Sequence, residues 1–121
     1  MSRTALLVDD HPGFRQEARQ LLLAAGFDVV AEAAGAAEGL TVAARTNPDL
    51  ILLDVGLPDG NGIELVPAFR GVAPRARVVL ISSRRRAEYG DRIAASSADA
   101  FVDKVALGLS SPATAAELLL D

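Results

Sequence analysis

The chain has 121 residues, half of them hydrophobic and 23% charged, with a net charge of −4. That is about one domain of ordinary globular composition, expected to span residues 1–121, and the acidic balance excludes a nucleic-acid surface, which needs clustered Lys and Arg on a basic domain. The lack of Cys and the single His exclude disulfides, thiol chemistry and a His/Cys metal cage, and no apolar run approaches the ~20 residues of a membrane helix, so a cytoplasmic protein is expected.

Residues 4–8, Thr-Ala-Leu-Leu-Val, predict a buried strand that ends on two carboxylates, Asp9 and Asp10. Pro12 fits the first turn of a helix carrying Phe14, Ala18, Leu21, Leu22 and Ala25 on one side, with Gly26 as a left-handed stop. A short strand is expected over 28–32. A helix follows over 36–46, with an inner stripe of Leu40, Ala43 and Ala44, which Gly39 weakens by up to about 1 kcal/mol relative to Ala. Leu50–Leu53 is an aliphatic run that ends on Asp54 and then enters a turn of Gly, Pro, Asp and Asn, the pattern of a strand buried on both faces. Asn61 or Asp59 could cap the next helix, in which Ile63, Leu65, Val66 and Phe69 are apolar and Pro67 predicts a kink or a short first turn. A fourth strand over 77–81 ends on Ser82 and Ser83. Residues 84–97 carry only a weak helical pattern around Tyr89 and Ile93. A fifth strand over 99–103 ends on Lys104, and Ser111 with Pro112 opens a last helix through Leu120.

Five strands alternating with helices require a parallel sheet with right-handed crossovers and helices on both faces, a single three-layer α/β domain. Four of the strands finish on reactive side chains: Asp9 with Asp10, Asp54, Ser82, and Lys104, the one Lys among twelve basic residues. Parallel strands bring their carboxyl ends to one edge, where open α/β sheets bind ligands. Carboxylates that close repel unless a cation joins them, and oxygen ligands without His or Cys select Mg²⁺ or Mn²⁺. A hydroxyl and an ammonium beside them suit a transferring phosphoryl group, with Asp54 as nucleophile. Singly, each of these residues is more often a turn former, a helix cap or a solvated charge; their joint placement at strand ends carries the reading.

These residues resemble the receiver domains of two-component response regulators across the whole chain. The resemblance rests on Asp9-Asp10, Pro48 to Asp54 with Pro58 and Gly62 beyond, Ser82, and Phe101 three residues before Lys104. The start Asp9-Asp10-His11-Pro12, continuing Phe14-Arg15, looks most like the subfamily with a LuxR-type helix-turn-helix output. The resemblance implies a flavodoxin-like (βα)5 three-layer sandwich with strand order 2-1-3-4-5. It implies that Asp54 is the phosphoacceptor, served by a sensor histidine kinase or phosphotransfer protein. Asp9, Asp10, Asp54 and the backbone carbonyl of Gly56 would hold Mg²⁺, Asp9 mainly through water. Ser82 and Lys104 would contact the phosphoryl oxygens, and Ser82 with the aromatic Phe101 would form the switch. A phosphorylation-dependent homodimer is a further family property.

The sequence departs from the family pattern in two places, and two further residues bear on phosphoryl lifetime. Val105 follows Lys104 where many receivers have a cis proline, Ser97-Ala98-Asp99-Ala100 lacks the usual Gly, and Gly56 and Arg84 occupy positions that tune phosphoryl lifetime. Bland readings also stand for His11 as a surface residue rather than a phosphoryl relay, and for Arg84-Arg85-Arg86 as a solvated run. An aspartyl-phosphate phosphatase of the haloacid dehalogenase type would need Asp-x-Asp after the first strand, whereas here the two Asp are adjacent. A nucleotide or flavin module lacks its Gly-rich loop, and a degenerate receiver is opposed by retention of all five site residues. A switch rather than a metabolic enzyme is therefore expected. It is read as the N-terminal part of a transcriptional regulator whose C-terminal DNA-binding domain lies outside this chain, with a stand-alone receiver as the alternative.

Overall fold

The computed structural model describes residues 3–120; Met1, Ser2 and Asp121, at the ends of the expected domain, lie outside the described residues. Five strands form one parallel sheet: β1 (Arg3–Val8), β2 (Phe27–Ala33), β3 (Leu50–Asp54), β4 (Arg77–Ser82) and β5 (Ala100–Asp103). Their spatial order is β2-β1-β3-β4-β5, the expected one. The central strand, β3, is buried at all five positions, which is why its sequence is a continuous aliphatic run rather than an alternating one. Val30 is the extra residue of a bulge in β2: Ala5 pairs with Val29, while Leu6 pairs with Ala31. No helix among the described residues is long and apolar enough to cross a membrane.

Two cores flank the sheet. Alternate strand residues face α2 (Ala36–Thr46) and α3 (Gly62–Val72) on one side, with Phe69 fully buried there. The others face α1 (Pro12–Ala24) and the C-terminal helices, with Leu22 and Leu119 beneath them. Gly26 follows α1 with φ +97, as a left-handed stop should.

The inner stripe of α2 differs from the expectation. Ala36, Gly39, Val42 and Ala43 are buried, Leu40 is half-buried and Ala44 is exposed. The helix turns its glycine to the sheet because a Cβ on Gly39 would meet Val8 Cγ1 at 3.0 Å and Phe69 Cζ at 3.1 Å. Gly39 thus costs helix propensity and gains close packing. Of the two candidate caps, Asn61 serves α3, accepting from Ile63 N at 2.9 Å. Asp59 instead reaches back across the fold to the start of α2, accepting from Ala36 N at 2.6 Å and Ala37 N at 3.1 Å. Hydrogen bonds donated by those two backbone amides hold its carboxyl below the usual range. The α3 helix runs unbroken through Pro67, whose ring is on the exposed face.

The segment after β4 departs furthest from a regular helix. It holds a 3₁₀ turn, Arg86–Tyr89, and a four-residue helix α4, Arg92–Ala95, separated by Gly90 at φ +58. Ile93 is the only buried residue of these two pieces, too little apolar surface to hold a longer helix against the sheet. After β5 the chain forms a helix that the sequence pattern did not predict, α5 (Lys104–Gly108), capped by Asp103, which accepts from Val105 N at 2.7 Å. A last helix, α6 (Pro112–Leu120), follows, with Ser111 accepting from Thr114 N at 3.2 Å as its cap. No cis peptide bond occurs among the described residues.

Candidate functional site

The parallel sheet carries the expected residues to one edge. Asp9 follows β1 and is fully buried. Asp54 ends β3 at 4% exposure, and Ser82 ends β4, also at 4%. These are the only buried polar or charged residues of the described chain. Lys104, first residue of α5, extends back over them, its Nζ 2.6 Å from Asp9 Oδ2 and 3.4 Å from Asp54 Oδ2. Beneath it lies the Phe14 ring of α1, with Nζ 4.6 Å from the ring centroid, a cation–π contact that holds the ammonium in place.

The loop backbone completes the setting of Asp54. Gly56 N donates to Asp54 Oδ1 at 3.3 Å, and the loop folds into a small hairpin of Gly56–Leu57 with Gly60–Asn61. Gly62 N donates to Val55 O at 2.8 Å, packing the start of α3 so tightly that a Cβ on Gly62 would collide with Asp54 O. At Gly56, by contrast, no atom beyond its chain neighbours lies within 4 Å of a Cβ position, so the side of Asp54 next to it is open.

The electrostatics of the site are unbalanced. The carboxylates of Asp9 and Asp54 face the ammonium of Lys104, Asp10 adds a third acid, and the potential ligand atoms of Asp9, Asp10, His11 and Asp54 lie within 4.8 Å of one another. Burial and then the neighbouring Asp9 charge push the Asp54 carboxyl above its usual range, with Lys104 pulling the other way. Asp9 Oδ2 and Asp10 Oδ1 are buried and accept no well-directed hydrogen bond, despite the ammonium beside the first and His11 Nδ1 at 3.2 Å from the second. Unfilled oxygen lone pairs in an excess of negative charge are what a hard divalent cation satisfies, so the donor set fits Mg²⁺. His11 donates its backbone N–H to Asp9 Oδ1 at 2.8 Å and leaves its ring 67% exposed at the start of α1.

A cleft of about 320 Å³ opens over Asp54, walled by Gly56, Ser82, Arg84, Tyr89, Arg92 and Lys104 among others. A larger one, about 440 Å³, lies between α1 and α5 against Phe14, Leu21 and Leu107, but Glu17 is its only charged group, so the convergent chemistry belongs to the smaller. Arg85 and Arg86 are exposed. Phe101 is half-buried in β5, its side chain on the α2–α3 face of the sheet.

Two residues that the sequence pattern left without a role stand at this site. Tyr89 lies within 2.5 Å of Ser82 Oγ through its hydroxyl, and its ring meets Phe101 edge-on at 5.8 Å. Arg15, from α1, donates to the backbone carbonyl of Asp9 and pairs with Glu32 at 3.1 Å, which fixes the acidic loop to β2. The first had a signal in the sequence, as the single Tyr of the chain and seven residues beyond Ser82. The second stands in the start motif Phe14-Arg15, but its partners could not be read there, because they depend on how α1 crosses the sheet.

Comparison with known proteins gives the family. Residues 5–107 match the response regulator receiver domain. BvgA of Bordetella pertussis, a transcription regulator of virulence factors, is 31% identical over 104 residues, covering 86% of this chain and 50% of the relative. The nitrate/nitrite response regulator NarL of Escherichia coli is 40% identical over 80 residues, covering 65% of this chain and 37% of NarL. A crystal structure of a LuxR-family two-component response regulator from Aurantimonas sp. SI85-9A1 superposes with a TM-score of 0.81 at 30% identity, covering 97% of this chain and 81% of that one. The chain spans about half the length of the first curated relatives it matches. Receiver domains bind Mg²⁺ at an acidic pocket and act generally as signalling switches rather than metabolic enzymes, and the carboxylates described above form an acidic cluster. The chain belongs to the family of response regulator receiver domains and resembles those of the LuxR-type regulators.

Proposed function

We propose that Asp54 accepts a phosphoryl group from a phosphohistidine on a sensor histidine kinase or phosphotransfer protein, and that the added charge changes the face this domain offers to an output domain or partner. The observation that carries the reading is the Lys104 ammonium held between Asp9 and Asp54, in a cleft that also presents Ser82. In the transfer, an Asp54 carboxylate oxygen forms the O–P bond while the N–P bond breaks, and the imidazole nitrogen keeps the electron pair. Lys104 and the Ser82 hydroxyl bind and orient the phosphoryl oxygens. Asp9, Asp10, Asp54 and the Gly56 carbonyl would hold Mg²⁺, which when bound neutralises charge on those oxygens. The open side at Gly56 leaves room for the donor imidazole and later for hydrolytic water.

For the output, support comes from relatives that are transcription regulators, such as BvgA. In this reading the domain is the phosphorylated part of such a regulator, working in the cytoplasm, with DNA contact left to a separate domain. Incubation with acetyl phosphate and Mg²⁺ should yield an acid-stable, base-labile adduct on the wild type and none on Asp54→Asn. Equal labelling of the variant would overturn Asp54 as the acceptor.

A further inference from the structure

We infer that Tyr89 is a latch on the phosphorylation switch: its hydroxyl holds Ser82 in the unphosphorylated arrangement, and losing that bond frees the segment from Arg86 to Ala95. The inference rests on the phosphoryl-acceptor reading of Asp54 and adds a residue to it.

Ser82 Oγ already accepts from Arg84 N at 3.0 Å. A hydroxyl has one proton and two lone pairs, so one proton and one lone pair remain for every other partner. Tyr89 takes one of these at 2.5 Å, the short end of the range for hydroxyl pairs. A phosphoryl oxygen on Asp54 is a charged acceptor and forms a stronger bond than a phenol does. With Ser82 as the donor of this pair, a phosphoryl oxygen competes with Tyr89 for its one proton, and the bond to Tyr89 is the one given up, because the Arg84 bond uses a lone pair and comes from the backbone next to it.

The other end of the latch is the 3₁₀ turn that Tyr89 terminates. None of that turn's four residues is buried, so little apolar packing holds it to the sheet. Its ties to the sheet are the hydroxyl bond to β4 and the Tyr89 ring against Phe101 of β5, centroids 5.8 Å apart and planes at 63°. Ser82, Tyr89 and Phe101 therefore form one chain of contacts, from the mouth of the acidic cleft to the exposed segment beyond β4. A change at Ser82 is passed to that segment through Tyr89.

Tyr89→Phe removes the hydroxyl and keeps the ring on Phe101, so it separates the latch from packing. Wild type and variant should be titrated with beryllofluoride and Mg²⁺ while amide resonances are followed. The expected result is that, before any addition, the Ser82, Gly90 and Phe101 amides of Tyr89→Phe move toward their positions in the beryllofluoride-bound wild type. The Kd for beryllofluoride should fall two- to fivefold, as it must when the competent state becomes more populated. A Kd unchanged or higher overturns the latch, wherever the resonances lie. If the wild type binds normally and only the variant fails this test, the latch alone is lost; a wild type that binds no beryllofluoride overturns the phosphorylation reading together with the latch.

Discussion

The β1–β3 half of the cleft and the segment beyond β4 are built to opposite ends. Around Asp9 and Asp54 the backbone is fixed from several directions: Ala33 O accepts from Asp9 N at 3.0 Å, Val55 N donates to Ile81 O at 3.0 Å, and Gly62 closes the loop against Asp54 O. From Ser83 to Ala95 only Ile93 is buried, and regular structure comes in two four-residue pieces. Chemistry that needs carboxylates at set distances is placed where the fold is most constrained, since misplacement of reacting groups is costly. A response that must be reversible is placed where little packing has to be broken. Rigidity and responsiveness share one cleft here because each has its own strands.

Large losses of stability should come from the constrained half. Gly62→Ala would push a methyl group into the Asp54 carbonyl, displacing backbone rather than a flexible side chain, and should destabilise by about 3 kcal/mol in urea unfolding. A loss under about 1 kcal/mol would mean that the loop around Asp54 is softer than the contacts imply.

Paired core truncations sharpen the contrast. Phe69→Ala, in the fully buried wall formed by α3, should cost about 3–5 kcal/mol. Ile93→Ala should fall near the low end for its type, about 2 kcal/mol, because the single turn of α4 can settle into the space. Equal losses would show the segment beyond β4 to be as firmly packed as the rest.

The smallest effect is a pH dependence. Burial and Asp9 raise the Asp54 carboxyl above 3.8, so the folded state holds this proton more tightly than the unfolded chain does. Its contribution to stability is complete below about 3.8 and is lost as pH rises through the folded value. With divalent cations chelated, Asp54→Asn should gain stability relative to wild type as pH rises from 3 to 7. A gap between the two proteins that stays flat across that range would mean the acids are not strained against one another.

Much of this was legible in the chain because parallel strands are simple to read. The aliphatic runs ending on Asp9, Asp54 and Ser82 reported both buried strands and the edge at which they finish, since period and burial dictate that pattern. Pro12 and Ser111 marked helix starts through local backbone chemistry. What was misread depends on distant neighbours. Ala44 was expected inside α2 and Val42 was not, because the rotation of that helix is set by the contact of Gly39 with Val8 and Phe69. Asp59 was weighed as a cap for the helix after it, yet it caps α2 from 23 residues away.

By itself, then, the sequence determined the alternation of elements, the two-sided burial of β3, and the set of acids, hydroxyl and lone Lys assigned to one edge, because each follows from local pattern and the handedness of crossovers. Tertiary structure alone decided which oxygen Lys104 touches, that Phe14 supports it, and that Tyr89 stands between Ser82 and Phe101. Those are contacts between side chains on separate elements, and their distances are fixed by how helices and turns pack on the sheet rather than by any spacing along the chain.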